Sequence, residues 1–147
     1  MTSRLFIDTN IPTYAAGNNH SLKEPCAQII RFVAIYPDRF VTDAEVLQEL
    51  LHRFHAIRSL DVGIDVLRYF GNLMRGRVES MTHKDVEQAV LIVRDNPRLS
   101  ARDAIHVAVM QRIGTEDIIT ADRAFDHVAG IRRLDPRTID TWSGEIG

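Results

Sequence analysis

The chain predicts one α/β domain over residues 1–147, with a mainly parallel central sheet of four to five strands flanked by helices as an α/β/α sandwich. Three observations lead there. Short apolar runs alternate with segments of helical period; cap signals bracket most of those segments; and 147 residues with 45% apolar content suffice for a single core.

The elements follow in chain order. Residues 4–8 read as a strand, and Pro12 after Asn10 suits the start of a short helix. A helix over 24–36 has Pro25 in its first turn and Ile29, Ile30, Phe32 and Val33 inward. Arg39 to Thr42 is a second strand. Thr42 and Glu45 have capping-box spacing and open a helix carrying Val46, Leu47, Leu50, Leu51, Phe54 and Ile57. The next helix, about 61–75, sets Leu60, Ile64, Leu67, Phe70 and Met74 at helical spacing as core. Arg77 to Met81 is a third strand, and Thr82 with Asp85 caps a helix that Asn96-Pro97 ends. Ser100 opens a further helix with Asp103 at its third position, closed by Gly114. Asp117 to Thr120 is a fourth strand and Ile131 to Leu134 a fifth.

Composition removes several classes of function. No apolar stretch approaches the roughly 18 residues of a membrane span, and the N-terminus lacks the basic start and long apolar segment of a signal peptide. Cys26 stands alone, so no internal disulfide forms, which suits a reducing compartment; a cytoplasmic protein is expected. A formal charge of -2 gives no global pull toward nucleic acid. Lys23 and Lys84 are the only lysines among 18 basic side chains. Arginine binds phosphate bidentately, so Arg75/Arg77, Arg94/Arg98/Arg102 and Arg132/Arg133 could seat an RNA backbone; a GC-rich coding sequence would produce the same bias.

The chemistry sits in the acids. Leu5-Phe6-Ile7-Asp8 and Ile118-Ile119-Thr120-Ala121-Asp122 are apolar runs that finish on a carboxylate. In a parallel sheet, strand ends share the edge at which ligands bind, so Asp8 and Asp122 can meet. Crossover helices start at that same edge, which adds Asp103 and Glu49. Two unit charges 4 Å apart repel by about 4 kcal/mol at an effective dielectric of 20. Either some of the four acids stay protonated or a hard divalent cation compensates them. All-oxygen ligation favours Mg²⁺ or Mn²⁺ over Zn²⁺, and such a cation activates water and clamps a phosphodiester.

Each acid also has a plainer use. Asp103 completes a capping box with Ser100, Glu49 lies four residues before Arg53, and Asp122 caps a short helix holding Ala124 and Phe125. His106, one turn after Asp103, reads as a packing histidine, and His52 and His55 as solvated. Tyr14 and Trp142 could stack on bases, with packing the simpler role.

Asp8-Thr9-Asn10 after the first strand, Glu49 within Leu47-Gln48-Glu49-Leu50-Leu51, Ser100 to His106 around Asp103, and Thr120-Ala121-Asp122-Arg123-Ala124-Phe125 together resemble the PIN-domain ribonucleases. Length and element order resemble the VapC toxins of bacterial toxin–antitoxin pairs, and Leu134-Asp135-Pro136 fits the same pattern. The resemblance covers essentially the whole chain. It implies a Mg²⁺- or Mn²⁺-dependent endoribonuclease that forms a homodimer and is silenced by a VapB-like antitoxin, often through an arginine placed in the acidic pocket. By position, Asp8, Asp103 and Asp122 would be metal ligands, with Glu49 a further ligand or the residue orienting the attacking water. Thr9, Asn10 and Thr120 would brace the acids or touch phosphate, and Asp126 competes with Asp122 for the last acidic position.

A housekeeping RNA-processing nuclease of the same fold would show the same acids. Phosphoryl transfer through an aspartyl phosphate at Asp8 fits less well. No lysine follows Lys84, and Asn10 stands where a phosphatase of that kind has its second aspartate. An inactive RNA-binding module would be expected to have lost one acid, and all four are present.

Overall fold

The computed structural model describes residues 3–147. Five strands, β1 (Leu5–Ile7), β2 (Phe40–Asp43), β3 (Val78–Glu79), β4 (Asp117–Ile119) and β5 (Arg132–Leu134), form a parallel sheet in the order β3-β2-β1-β4-β5. Seven helices surround it: α1 (Asn10–Ala16), α2 (Lys23–Ile35), α3 (Ala44–Ala56), α4 (Leu60–Leu73), α5 (His83–Asp95), α6 (Ala101–Ile113) and the single turn α7 (Ile139–Trp142). They pack largely as consecutive pairs, α1 with α2, α3 with α4, and α5 with α6. None is long and apolar enough to cross a membrane among the described residues. The expected α/β architecture, its five strands and their parallel pairing are all present.

β1 is the central strand and is fully buried, with Leu5 and Phe6 beside Phe40 and Val41 on one side and Leu5 to Ile7 beside Asp117 to Ile119 on the other. The chain runs outward from β1 to β2 and β3, then returns to the other side for β4 and β5. The reversal of strand order falls between β1 and β4, where doubly wound sheets open a crevice beyond their strand ends. The site described below lies there.

Side-chain caps fix the starts of α3, α5 and α6. Thr82 and Asp85 form the reciprocal capping box expected of them. Ser100 Oγ accepts from the Asp103 amide, and Gly114, at φ 73°, ends α6 in the left-handed region that glycine adopts without cost. The start of α3 differs from expectation. Thr42 belongs to β2 and donates its hydroxyl to the Ile7 carbonyl at 2.9 Å; the cap is Asp43, whose Oδ1 accepts from the Val46 amide at 2.9 Å. Threonine suits the pleated, buried strand position, and aspartate is among the strongest N-caps.

The buried face of α4 also differs. Leu60 and Ile64 are exposed, while Gly63, Val66, Phe70 and the following Met74 face the core. Leu51 and Ile57 of the preceding segment are exposed as well. Gly63 fits the orientation, because a Cβ there would overlap Cβ and Cγ of Phe54, so the close approach of α4 to α3 at this point requires glycine. Gly63→Ala is expected to destabilise the fold by about 2–3 kcal/mol, the scale of overpacking a dense core. Urea unfolding measures this, and a loss below about 0.5 kcal/mol would show that the α3–α4 contact is loose.

Candidate active site

Asp8 follows β1 directly and is 4% exposed. Its Oδ1 accepts from the Thr9 amide at 2.7 Å, and its Oδ2 accepts from the Thr120 hydroxyl at 2.7 Å and the Asn10 amide at 3.3 Å. Thr120 directly follows β4 and binds the crevice together: its hydroxyl also accepts from the Asn10 amide at 2.8 Å and from the Asp122 backbone N–H at 3.1 Å. Asn10 returns a bond, its Oδ1 accepting from the Ala121 amide. One short network thus ties the ends of β1 and β4, and it is made of the polar residues that flank the acids in sequence.

Asp8, Glu49, Asp103 and Asp122 line one open pocket of about 510 Å³, together with Asn10, Arg53, Ser100, Ala101 and Arg102. Four elements deliver the acids: the end of β1, the second turn of α3, the first turn of α6, and the segment after β4. Asp122 also caps the 3₁₀ turn Arg123–His127 through the Ala124 amide, so its structural use and its place at the pocket coexist. Glu49 and Arg53 make no ion pair among the described residues; both side chains open on the pocket instead. Asp126 is turned away and pairs with Arg133 at 2.7 Å, which holds its carboxyl below the usual range.

Electrostatics mark the centre of the pocket. Burial pushes the Asp103 carboxyl up to about 7, the negative charges of Asp8 and Asp122 adding to the effect. Burial likewise raises Asp8, against the opposing pull of His106 and the Thr120 hydrogen bond. Glu45, beside Arg102 at 3.5 Å, is raised by burial too. These carboxylates are held where their charged forms are disfavoured, the condition that a divalent cation relieves.

Two residues here lie outside the four acids that the sequence singles out. Asp43 is completely buried, and its Oδ2 lies 2.8 Å from His106 Nδ1. His106, also completely buried, has Nε2 3.7 Å from Asp8 Oδ1. Burial would lower the imidazole pKa, but the Asp43 hydrogen bond and the charges of Asp43, Asp8 and Asp103 outweigh it and bring the ring to about 9. His106 thus packs in the core, as expected, and also stands between two carboxylates that favour its protonated form. A signal for Asp43 does exist: Phe40-Val41-Thr42-Asp43 is an apolar run ending on an acid, just as Leu5 to Asp8 is.

The arginine clusters are largely spent inside the molecule. Arg132 pairs with Asp117 and Glu145, Arg133 with Asp126 and Asp135, and Arg77 donates to the carbonyls of Pro37 and Leu73. Arg98 bonds His127. Arg53 and Arg102 are the cations at the pocket. Trp142 is buried with its indole N–H on the Asp135 carbonyl, and Tyr14 stacks on His20, so both aromatic rings have packing partners.

Comparison with known proteins agrees with this fold. The PIN domain family model matches residues 5–131. A VapC ribonuclease of Mycobacterium bovis and ribonuclease VapC13 of Mycobacterium tuberculosis are each 35% identical to this chain over 137 residues, 88% of this chain and 98% of theirs. Among solved structures, FitAcB from Neisseria gonorrhoeae superposes with a TM-score of 0.71 at 14% identity, covering 91% of this chain and 99% of that one. The DNA-bound VapBC of Salmonella typhimurium gives 0.70 at 16% identity, covering 92% and 99%. The sarcin-ricin loop cleaving toxin VapC20 of Mycobacterium tuberculosis gives 0.65 at 21%, covering 87% and 98%. A nearly full-length family match, and relatives above 30% identity over most of both chains, place this protein in the PIN-domain family, among the VapC ribonucleases.

Proposed function

We propose that this protein is a metal-dependent endoribonuclease, the toxin of a type II toxin–antitoxin pair, which hydrolyses phosphodiester bonds in RNA and is inhibited by a VapB-like antitoxin. The observation that carries the reading is the meeting of Asp8, Glu49, Asp103 and Asp122 in one pocket. Their oxygen donors suit Mg²⁺ or Mn²⁺, and the raised carboxyls of Asp8 and Asp103 are charged forms held at a cost that such an ion would relieve. A bound divalent cation supplies Lewis acidity toward water and the scissile phosphate.

The chain's own groups divide the remaining work. Asp8, Asp103 and Asp122 would hold the cation, and Asp8 is kept in place by Thr9, Asn10 and Thr120. Glu49, half-buried at the pocket, is placed to orient the attacking water. Arg53 and Arg102 offer two donors for the RNA backbone at the same opening. For the antitoxin, an apolar groove of about 390 Å³ between α1, α2 and α4, lined by Pro12, Ala15, Ile30, Val66, Tyr69 and Phe70, suits an amphipathic helix laid in it.

Purified protein is expected to cut RNA with Mg²⁺ or Mn²⁺ and to stop on addition of EDTA. Cleavage that persists in EDTA would end the reading. Induction of the gene without its neighbours should arrest growth, whereas healthy cells containing active enzyme would point to a processing role. The two competing acids separate in the same assay. Asp122→Asn should lower the rate by about 100-fold, the cost of one well-placed electrostatic group. Asp126→Asn, which removes a partner of Arg133 away from the pocket and leaves Asp135 paired with it, should change it by less than about threefold. The reverse order would move the site to Asp126.

A further inference from the structure

Beneath the acids of the pocket lies a polar atom with nothing to bond. His106 Nε2 is fully buried and has no hydrogen-bond partner among the described residues. The ring sits one turn along α6 from Asp103 and packs against Phe6, with centroids 5.5 Å apart. Buried nitrogens are almost always satisfied, so an orphan at a cluster of carboxylates calls for a missing partner.

Resting on the reading of the pocket as a metal centre, we propose that His106 Nε2 is a ligand of the bound ion. Asp43 fixes the ring from behind, and the site takes a transition-metal ion such as Mn²⁺ in preference to Mg²⁺. Donor atoms of Asp8, Asp103 and His106 all lie within 4.8 Å of one another, and Nε2 is 3.7 Å from Asp8 Oδ1. Ligands about 2.1 Å from an octahedral ion are roughly 3 Å apart when adjacent and roughly 4.2 Å when opposite, so small side-chain shifts suffice. Asp8 Oδ1 accepts one bond, from Thr9, and keeps a lone pair.

The role of Asp43 follows from its two bonds. Oδ1 is committed to the α3 cap and Oδ2 to His106 Nδ1, so the carboxylate cannot turn. A carboxylate only accepts, which requires Nδ1 to carry hydrogen and leaves Nε2 as the ligating position once the ion replaces its proton. Carboxylate–imidazole–metal arrays of this form set the tautomer and strengthen the ligand. An imidazole nitrogen favours transition ions, whereas Mg²⁺ keeps to oxygen.

Mn²⁺ bound to the full chain and read by electron spin-echo envelope modulation tests this directly. The parent protein should show imidazole ¹⁴N modulation, and His106→Gln should lose it while binding Mn²⁺ about 10–100-fold more weakly. Asp43→Asn retains a good cap, yet its amide would donate to Nδ1 and leave the hydrogen on Nε2. It too should lose the modulation and a similar factor in Mn²⁺ affinity, with Mg²⁺ affinity changed less. Parent protein that binds Mn²⁺ without nitrogen modulation overturns the ligand assignment and leaves the metal-nuclease reading standing. Imidazole modulation surviving in His106→Gln assigns the nitrogen elsewhere and also overturns it. Failure to bind Mn²⁺ at all overturns both. The parent spectrum decides alone if either variant does not fold.

Discussion

Asp8→Asn is expected to lower RNA cleavage about a thousandfold while leaving the protein folded and, at pH 8 without metal, a few degrees more stable. The first part follows from what the carboxylate does. It is the most buried of the four pocket acids and is bonded to the ends of both β1 and β4. An ion held there stabilises transition-state charge by several kcal/mol, and each 1.36 kcal/mol is about a factor of ten in rate. The second part follows from the raised Asp8 carboxyl. Burial outweighs the opposing pull of His106 and the hydrogen bonds, so folding disfavours the charged form relative to the neutral one, and asparagine resembles the neutral form in shape and charge. One bond weakens, because the new amide must face either the Thr9 N–H or the already saturated Thr120 hydroxyl. Relief of burial and of repulsion from Asp103 and Glu49 is the larger effect. Cleavage assays paired with melting curves check both halves. Parent-like cleavage by a folded Asp8→Asn protein would remove the proposed site.

The legibility of fold and site in the sequence differs from residue to residue, for physical reasons. β1 and β4 are readable because a short apolar run ended by a carboxylate has few uses besides a buried strand that delivers an acid to the sheet edge, and the same pattern locates Asp8 and Asp122. Asp43 obeys that rule equally well, but its neighbour Thr42 has the spacing of a cap, and local cap signals do not say which of two adjacent polar residues leaves the strand. The face of α4 is illegible for another reason. Leu60, Val62, Ile64, Val66, Leu67, Tyr69 and Phe70 surround much of the helix with apolar side chains, so periodicity alone does not choose a face. The choice is made by Gly63 against Phe54, a contact between two helices that no single-helix pattern contains. Sheet order and the arginine pairings are hidden in the same way. Arg133 looks like a phosphate ligand until β5 places it between Asp126 and Asp135. The buried relay of Asp43, His106 and Asp8 joins three elements and exists only when they are assembled.

That relay, with Asp103, gives the metal-free protein an unusual response to pH: its melting temperature should be highest near pH 4 and fall by about 10 °C or more on going to pH 9. Asp103 has a folded-state value of about 7 against 3.8 for an ordinary aspartate. Between those values the folded protein holds a proton that the unfolded chain has released, so stability declines as pH rises from about 4 to about 7. His106 stands at about 9 against 6.5. The stability it contributes as a cation is complete below 6.5 and is lost as pH rises through about 9, so the second decline follows the first. Asp85, Asp126 and Asp135 act in the opposite sense. Their carboxyls are lowered, and their contribution is present above the ordinary 3.8 and lost at more acid pH, which places the maximum near pH 4. For a chain of this size each kcal/mol moves the midpoint by about 2–4 °C. Asp103→Asn should flatten the fall between about pH 5 and 7, and His106→Gln the fall between about pH 7 and 9. Saturating Mn²⁺ should oppose both, since the ion binds the deprotonated groups and so stabilises most where the bare protein is weakest. A melting temperature that stays level from about pH 5 to 9 in EDTA would mean that these acids are not forced together, and the electrostatic case for a cation in the pocket would go with it.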